Sequence, residues 1–315
     1  MRVAILDDTH HAYEGTPGVA RLRARAEVQI FTAPFGSPDA LRGYTALIAN
    51  RERTRFTRAL FEQLPDLRLL VQTGNHANHV DLAAADALGI TVAQASGGFS
   101  RGAAELAIGL ALAVMRRIPQ TDHAMRQGTW STPTTPVLHG KTFGIVGLGR
   151  VGAHTASLAR AFGMRVTAWS PGLTAERAAD AGVERMELDD LLRDADVVSI
   201  HAALTPQSRG SIDSRRLALM KPTAFLINTA RGPIVEERAL IAALEAGRLA
   251  GAGLDVFDAE PLPSAHPLLA LSNVVLTPHL GWPTDEGYAR FADEAARVLL
   301  LFLDGQEVPR FTSHH

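Results

Sequence analysis

Thr142-Phe-Gly-Ile-Val-Gly147-Leu-Gly149-Arg-Val-Gly152 is an apolar run that ends in Gly-x-Gly-x-x-Gly. Lys141 to Val146 reads as a buried parallel strand, and Ala153 to Phe162 carries apolar residues at helical spacing before Gly163, a natural stop. In such a strand-turn-helix each glycine has its own task. Gly147 permits the tight turn, Gly149 lets the backbone approach a ligand, and Gly152 lets helix and strand pack closely. Unpaired N–H groups and the dipole at the helix start favour an anion, so the segment is expected to cradle a dinucleotide pyrophosphate. With 27 glycines in 315 residues the string is easily met by chance, and the flanking strand and helix are what make it informative.

Further short apolar runs lie on both sides of this segment. Arg2 to Leu6, Val28 to Phe31, Ala46 to Ala49, Leu67 to Gln72 and Ile90 to Ala93 form a first series, separated by polar or helical stretches, which argues a parallel sheet. Phe143 to Val146, Arg165 to Trp169, Val197 to Ile200, Ala224 to Ile227, Gly251 to Asp255 and Val274 to Leu276 form a second series of six. Six strands with intervening helices, such as Glu236 to Leu249, are what a doubly wound dinucleotide domain needs. Arg101 to Arg117 reads as a buried helix connecting the two, and Pro119 to Lys141 as a stretch without periodicity. Tyr288 to Leu303 is an amphipathic helix too late for the nucleotide sheet, so it is expected to return to the first domain. The fold expected is therefore α/β with two doubly wound parallel-sheet domains. Residues 1–99 plus 285–315 would form a discontinuous substrate domain, residues 100–284 an inserted Rossmann domain, with the cleft between the two sheets.

Composition narrows the function. A chain with 46% hydrophobic and 20% charged residues can bury a large core, and 31 basic against 33 acidic residues without charge blocks point to neither nucleic acid nor membrane. The absence of cysteine excludes thiolate nucleophiles and cysteine-ligated metals, so redox chemistry must come from a cofactor. The longest apolar run, Leu106 to Met115, is too short to span a bilayer, and a cytoplasmic protein is expected. His76 and His79 have the spacing of a metal pair but no third ligand, so they read as a loop and no metal is expected.

Three polar groups fall just beyond strands of the second series, the edge where α/β proteins bind ligands. Arg231 follows Phe225-Leu-Ile-Asn-Thr-Ala in a turn closed by Gly232-Pro233, where a guanidinium can hold a carboxylate by two contacts and polarise a carbonyl. Glu260 closes Leu254-Asp-Val-Phe-Asp-Ala-Glu-Pro261, and His279 closes Val275-Leu-Thr-Pro-His279. A carboxylate bonded to an imidazole favours the imidazolium and fixes which nitrogen faces a substrate, the arrangement of an acid/base catalyst.

Gly147-Leu-Gly-Arg-Val-Gly, Asn228-Thr-Ala-Arg-Gly-Pro-Ile-Val, Gly253-Leu-Asp-Val-Phe-Asp-Ala-Glu-Pro and Thr277-Pro-His-Leu-Gly stand in an order and spacing that resemble the D-isomer-specific 2-hydroxyacid dehydrogenase family. The resemblance covers nearly the whole chain, and it implies a flavodoxin-like substrate domain and hydride transfer between a nicotinamide cofactor and a small 2-hydroxy or 2-keto acid. It further implies that Arg231 binds the substrate, that His279 is the acid/base and that Glu260 tunes it. Backbone groups of Gly74, Asn75 and His76 would hold the substrate carboxylate. Cofactor contacts would come from Gly147, Gly149, Arg150, Val151, Gly152, Ser170, His201, Thr205, Thr229, Ala230, Asp255 and Gly281, with Asp255 on the nicotinamide side. The Pro119 to Lys141 arm would build a homodimer. Formate dehydrogenases of this family carry glutamine where this chain has Glu260, which argues against formate.

The chain departs from the family where an NAD domain normally places Asp or Glu to bond the ribose, since the segment here reads Ala168-Trp-Ser170-Pro-Gly. Ser170 repels no 2'-phosphate, yet Pro171 and Gly172 supply no guanidinium to grip one, so NAD or NADP stays open, with the balance toward NAD. A second reading, a nicotinamide-sensing corepressor-like binding protein without turnover, shares the same motifs.

Overall fold

The computed structural model describes residues 1–74, 77–96 and 100–311 of the chain. It divides into two compact units, Met1–Phe99 with Pro283–His315, and Ser100–Trp282.

The first unit holds β1 (Arg2–Ile5), β2 (Glu27–Ile30), β3 (Ala46–Ala49), β4 (Leu69–Thr73) and β5 (Thr91–Ala95), in the order β2-β1-β3-β4-β5. Every pairing is parallel, and the order is that of a flavodoxin-like sheet. β3 and β4 are buried along their whole length, which is why Ala46–Ala49 and the Leu69-Leu-Val71 part of β4 read as apolar runs rather than alternating ones, with Gln72 and Thr73 buried as polar residues at the strand end. Leu6, Leu47 and Leu70 pack with Phe56 and Phe61 on one side. The helix Asp285–Leu303 belongs to this unit and packs on β4, β5 and the helix Pro17–Arg23. Its approach is close enough that a Cβ at Gly18 would lie 2.4 Å from the Ala292 carbonyl oxygen.

The second unit holds β6 (Thr142–Val146), β7 (Arg165–Trp169), β8 (Glu184–Arg185), β9 (Val197–Ile200), β10 (Phe225–Asn228), β11 (Gly251–Leu254) and β12 (Val274–Leu276). Their order is β12-β11-β10-β9-β6-β7-β8, all parallel, so the chain starts in mid-sheet at β6 and reverses direction between β6 and β9. Side chains alternate across the sheet as the strand period requires. Val146, Val198 and Leu226 meet the helices Leu188–Asp194 and Glu237–Glu245, whereas Ile145, Val197 and Ile227 meet Ser100–Met115 and Arg150–Ala161.

Three details differ from the sequence reading. The sheet has seven strands rather than six, because β8 is two exposed residues, Glu184 and Arg185, with no apolar signal to read. The stretch after Arg117 contains a helix, Ile118–Arg126, in which no residue is buried, so no apolar stripe betrays it. The glycine-loop helix starts at Arg150 rather than Ala153, placing Gly152 inside its first turn. Among the described residues no helix is long and apolar enough to cross a membrane.

Candidate active site

The glycine loop leaves β6 where the strand order reverses, the place where open α/β sheets bind ligands. Gly147 has φ of 103° and donates its N–H to the Trp169 carbonyl at 2.7 Å. A Cβ there would lie 2.4 Å from the Ala202 backbone nitrogen, so only glycine passes between β6 and β9. At Gly152 a Cβ would lie 2.2 Å from the Gly147 oxygen, which shows how tightly the helix sits on its turn. Gly149 is the opposite case: a Cβ would meet nothing within 4 Å. Gly149 caps the helix Arg150–Ala161, and no side chain bonds the amides of its first turn. The first turn carries no acidic residue, and Arg150 is exposed there.

Further polar atoms at the same edge await a partner. The Nδ1 of His201, which follows β9, and the Oγ1 of Thr229, which follows β10, are buried without a hydrogen bond. The open space at Gly149, the uncapped amides and these two atoms fit a dinucleotide. Ser170 Oγ accepts the Leu148 N–H at 2.5 Å and so ties β7 to the loop. Thr205 is engaged in its own turn, donating its N–H to Ser208 Oγ at 2.8 Å.

His201 Nε2 lies 2.9 Å from Ser199 Oγ, and burial pushes the ring down to about 3. A folded value below the ordinary histidine value means that the unfolded chain binds the proton more readily. The stabilising contribution is therefore fully present above the unfolded value, about 6.5, and is lost as pH falls toward the folded one. The unfolding free energy is expected to fall between about pH 6.5 and pH 5 by no more than about 1.4 kcal/mol per pH unit from this group, read as a falling melting temperature. Replacing His201 with Asn should flatten that slope; an unchanged slope would show that the ring protonates freely in the fold.

Arg231, Glu260 and His279 come together in the second unit beyond β10, β11 and β12. Asn228 shapes the first loop, accepting the Ala230 N–H and donating to the Arg231 oxygen, each at 3.0 Å. The Arg231 guanidinium donates to the Ala230 oxygen at 2.7 Å. Glu260 Oε2 meets His279 Nδ1 at 2.7 Å, and Glu260 Oε1 accepts the Phe257 N–H at 2.9 Å. An ionised carboxylate only accepts, so Nδ1 carries the hydrogen and Nε2 is left for a substrate. Burial pushes the Glu260 carboxyl up, but the His279 bond, the Phe257 amide and the charges of His279 and Arg231 outweigh it and hold the group below the usual carboxylate range.

His279 is built on a left-handed turn with φ of 57°. Asp255 holds that turn: its Oδ1 accepts from Thr277 Oγ1 at 2.6 Å and the Leu280 N–H at 2.7 Å, its Oδ2 from the Gly281 N–H at 2.9 Å. The His279 N–H also donates to the Asp255 backbone oxygen at 2.9 Å. Asp255 is fully buried, and burial pushes its carboxyl up against the pull of these donors. Its strut role was not legible in the sequence, because a strand-end aspartate reads equally as a ligand contact.

Gly74 lies in the first unit with φ of 104°, its N–H on the Ala95 oxygen at 2.9 Å. Asn75 and His76 lie outside the described residues. His79 Nε2 is 3.1 Å from Gln72 Oε1.

A parallel sheet with a glycine-loop cradle at its switch point defines the second unit as a dinucleotide-binding domain of the Rossmann class. Residues 108–281 match the model of the D-isomer specific 2-hydroxyacid dehydrogenase NAD binding domain, and the chain belongs to that family. It is similar to a glyoxylate reductase of Thermofilum pendens, 41% identical over 79% of this chain and 76% of that one. It is also 40% identical to a D-3-phosphoglycerate dehydrogenase of Mycobacterium bovis, over 82% of this chain and 49% of that one. A phosphoglycerate oxidoreductase structure from Vibrio cholerae superposes with a TM-score of 0.84 at 31% identity, covering 97% of this chain and 99% of that one. The protein is accordingly an oxidoreductase that uses a nicotinamide cofactor on 2-hydroxy acids.

Proposed function

We infer that the chain is an NADH-dependent reductase of a small 2-keto acid, glyoxylate, hydroxypyruvate or the keto acid of the 3-phosphoglycerate couple, phosphohydroxypyruvate, yielding the 2-hydroxy acid, in the D form where it is chiral. The observation that carries this reading is the 2.7 Å Glu260–His279 contact beside Arg231 on one sheet edge. Gly147, Gly149, Arg150, Val151, Gly152, Ser170, His201, Thr205, Thr229, Ala230 and Gly281 would hold the cofactor, with Asp255 supporting its nicotinamide end through the His279 turn. The nicotinamide, when bound, supplies the hydride. His279 delivers the proton from Nε2 to the carbonyl oxygen, while Glu260 keeps the ring oriented through Nδ1. Arg231 binds the carboxylate, polarises the carbonyl and offsets the charge growing on its oxygen. Of the Gly74-Asn75-His76 segment expected at the substrate carboxylate, the Gly74 N–H is already bonded to the Ala95 oxygen at 2.9 Å, so the backbone donors would come from Asn75 and His76.

The NADH reading is supported beyond β7 by the commitment of Arg185, whose guanidinium bonds the Leu173 oxygen of that loop at 2.8 Å and Glu187 at 2.7 Å. A homodimer through the Pro119 to Lys141 arm is supported by its apolar surface, where Met125, Trp130 and Val137 are 52%, 80% and 57% exposed and the adjoining Ile118 is 52% exposed. The intracellular metabolite pool is the compartment this cofactor implies, and a cytoplasmic location follows from the same reading.

One characterisation tests these points together. Purified protein is expected to oxidise NADH with glyoxylate or hydroxypyruvate, to favour NADH over NADPH in kcat/KM, to form a D product where the product is chiral, and to sediment at twice the chain mass. NADH binding without turnover of glyoxylate, hydroxypyruvate, pyruvate or phosphohydroxypyruvate would sink the reductase reading, a strong NADPH preference the cofactor reading, and a monomer the dimer.

A further inference from the structure

We propose that Glu237 and His266 form a clamp that positions the substrate-facing Arg231 and the Glu260–His279 pair. This rests on the roles given above to those three residues. Glu237 opens the helix Glu237–Glu245, and His266 precedes the 3-10 turn Pro267–Ala270. Glu237 Oε1 meets His266 Nε2 at 3.0 Å, and both side chains are largely buried. Glu237 Oε2 accepts the Asp258 N–H at 3.4 Å. On the far side of the imidazole, Nδ1 accepts the Leu268 N–H at 3.4 Å. The carboxylate only accepts and the amide only donates, so the ring is held with its hydrogen on Nε2.

The clamp closes on the dipeptide Phe257-Asp258, and that dipeptide is where both halves of the site are fixed. The Phe257 N–H donates to Glu260 Oε1 at 2.9 Å, setting the carboxylate that holds His279. Gly232, the neighbour of Arg231, packs so closely on the same dipeptide that a Cβ there would lie 2.1 Å from the Phe257 carbonyl carbon and 2.6 Å from the Asp258 nitrogen. A shift of Phe257-Asp258 therefore moves Arg231 and Glu260 together. Glu237 is the side chain that ties the dipeptide back to a helix, and His266 orients Glu237. Supporting bonds of this kind hold a reactive constellation in productive geometry without touching the substrate.

Two replacements of His266 separate the clamp from a merely structural cap. Glutamine can place an amide N–H about where ring Nε2 lies and keep the bond to Glu237. Asparagine reaches only the Nδ1 position, keeping the Leu268 cap and losing Glu237. His266→Asn and Glu237→Gln, which leaves one acceptor for two donors, are expected to lower kcat for ketoacid reduction about tenfold with the KM for NADH within about twofold. His266→Gln should stay near the parent. Amide exchange at Phe257 and Asp258 should quicken about tenfold in the two damaging variants and not in His266→Gln. A capping role alone gives the reverse order, with asparagine harmless and glutamine harmful, and that order or parent-like exchange in Glu237→Gln would overturn the clamp. If the parent reduces none of the ketoacids, the proposed function fails, while the exchange rates still decide the clamp.

Discussion

Replacing His279 with asparagine is expected to reduce kcat for ketoacid reduction by about 10²–10⁴-fold, the usual contribution of a positioned acid/base. Asparagine is the informative choice because the residue sits at φ of 57°, where Asn is tolerated better than most side chains, so the turn held by Asp255 should survive. The loss corresponds to about 3–5 kcal/mol of transition-state stabilisation, far more than any change in fold would explain if the melting temperature is retained. Arg231→Lys should also lose heavily, since a point charge does not reproduce the two-point contact with a carboxylate. Steady-state rates set beside NADH binding check both: near-parent turnover in His279→Asn would remove this residue as the proton donor.

Replacing Gly149 with aspartate should have opposite effects on fold and on cofactor. The added side chain meets nothing within 4 Å, and aspartate is a favoured N-cap that would bond the free amides of the helix Arg150–Ala161. Stability should therefore be equal or slightly raised. The same carboxylate takes up the donors that a pyrophosphate needs and repels its charge. Breaking charged hydrogen bonds of about 1.5–3 kcal/mol each predicts a fall in NADH affinity on the order of 100-fold or more. Gly152→Ala supplies the contrast, because its Cβ would lie 2.2 Å from the Gly147 oxygen and overpacking of that kind costs about 1–3 kcal/mol of stability. Calorimetry with a cofactor titration reads both effects, and an aspartate variant that binds NADH like the parent would place the pyrophosphate elsewhere.

Much of this architecture was legible because buried parallel strands announce themselves. Ala46–Ala49 and Val197–Ile200 are apolar at every position but Ser199, and a sheet made of such runs brings its strand ends to one edge. That is why Arg231, Glu260 and His279, far apart in sequence, were readable as one site. What lacked burial lacked a signal: β8 is two charged residues, and no residue of Ile118–Arg126 is fully buried, its partly covered face being Gln120, Thr121 and Ala124. Glu237 and His266, 29 positions apart, were invisible for another reason. Each has an ordinary bland reading, a glutamate in a helix first turn and a histidine before a proline, and only the fold brings them to one dipeptide. The left-handed turn at His279 was equally hidden, since nothing in Thr277-Pro-His-Leu-Gly fixes φ at the histidine.

The central claim is that His279, held by Glu260, protonates a ketoacid oxygen while Arg231 holds the carboxylate. It is tested most directly by steady-state reduction of glyoxylate and hydroxypyruvate with NADH, with parent, Glu260→Gln and His279→Asn side by side and NADH binding measured for each. Turnover is expected in the parent, with kcat lowered in Glu260→Gln, whose neutral amide holds the His279 Nδ1–H less firmly than the carboxylate, and lowered further in His279→Asn, while NADH binding stays near the parent's. A parent that binds NADH yet reduces neither compound, or parent-like kcat in both variants, would contradict it.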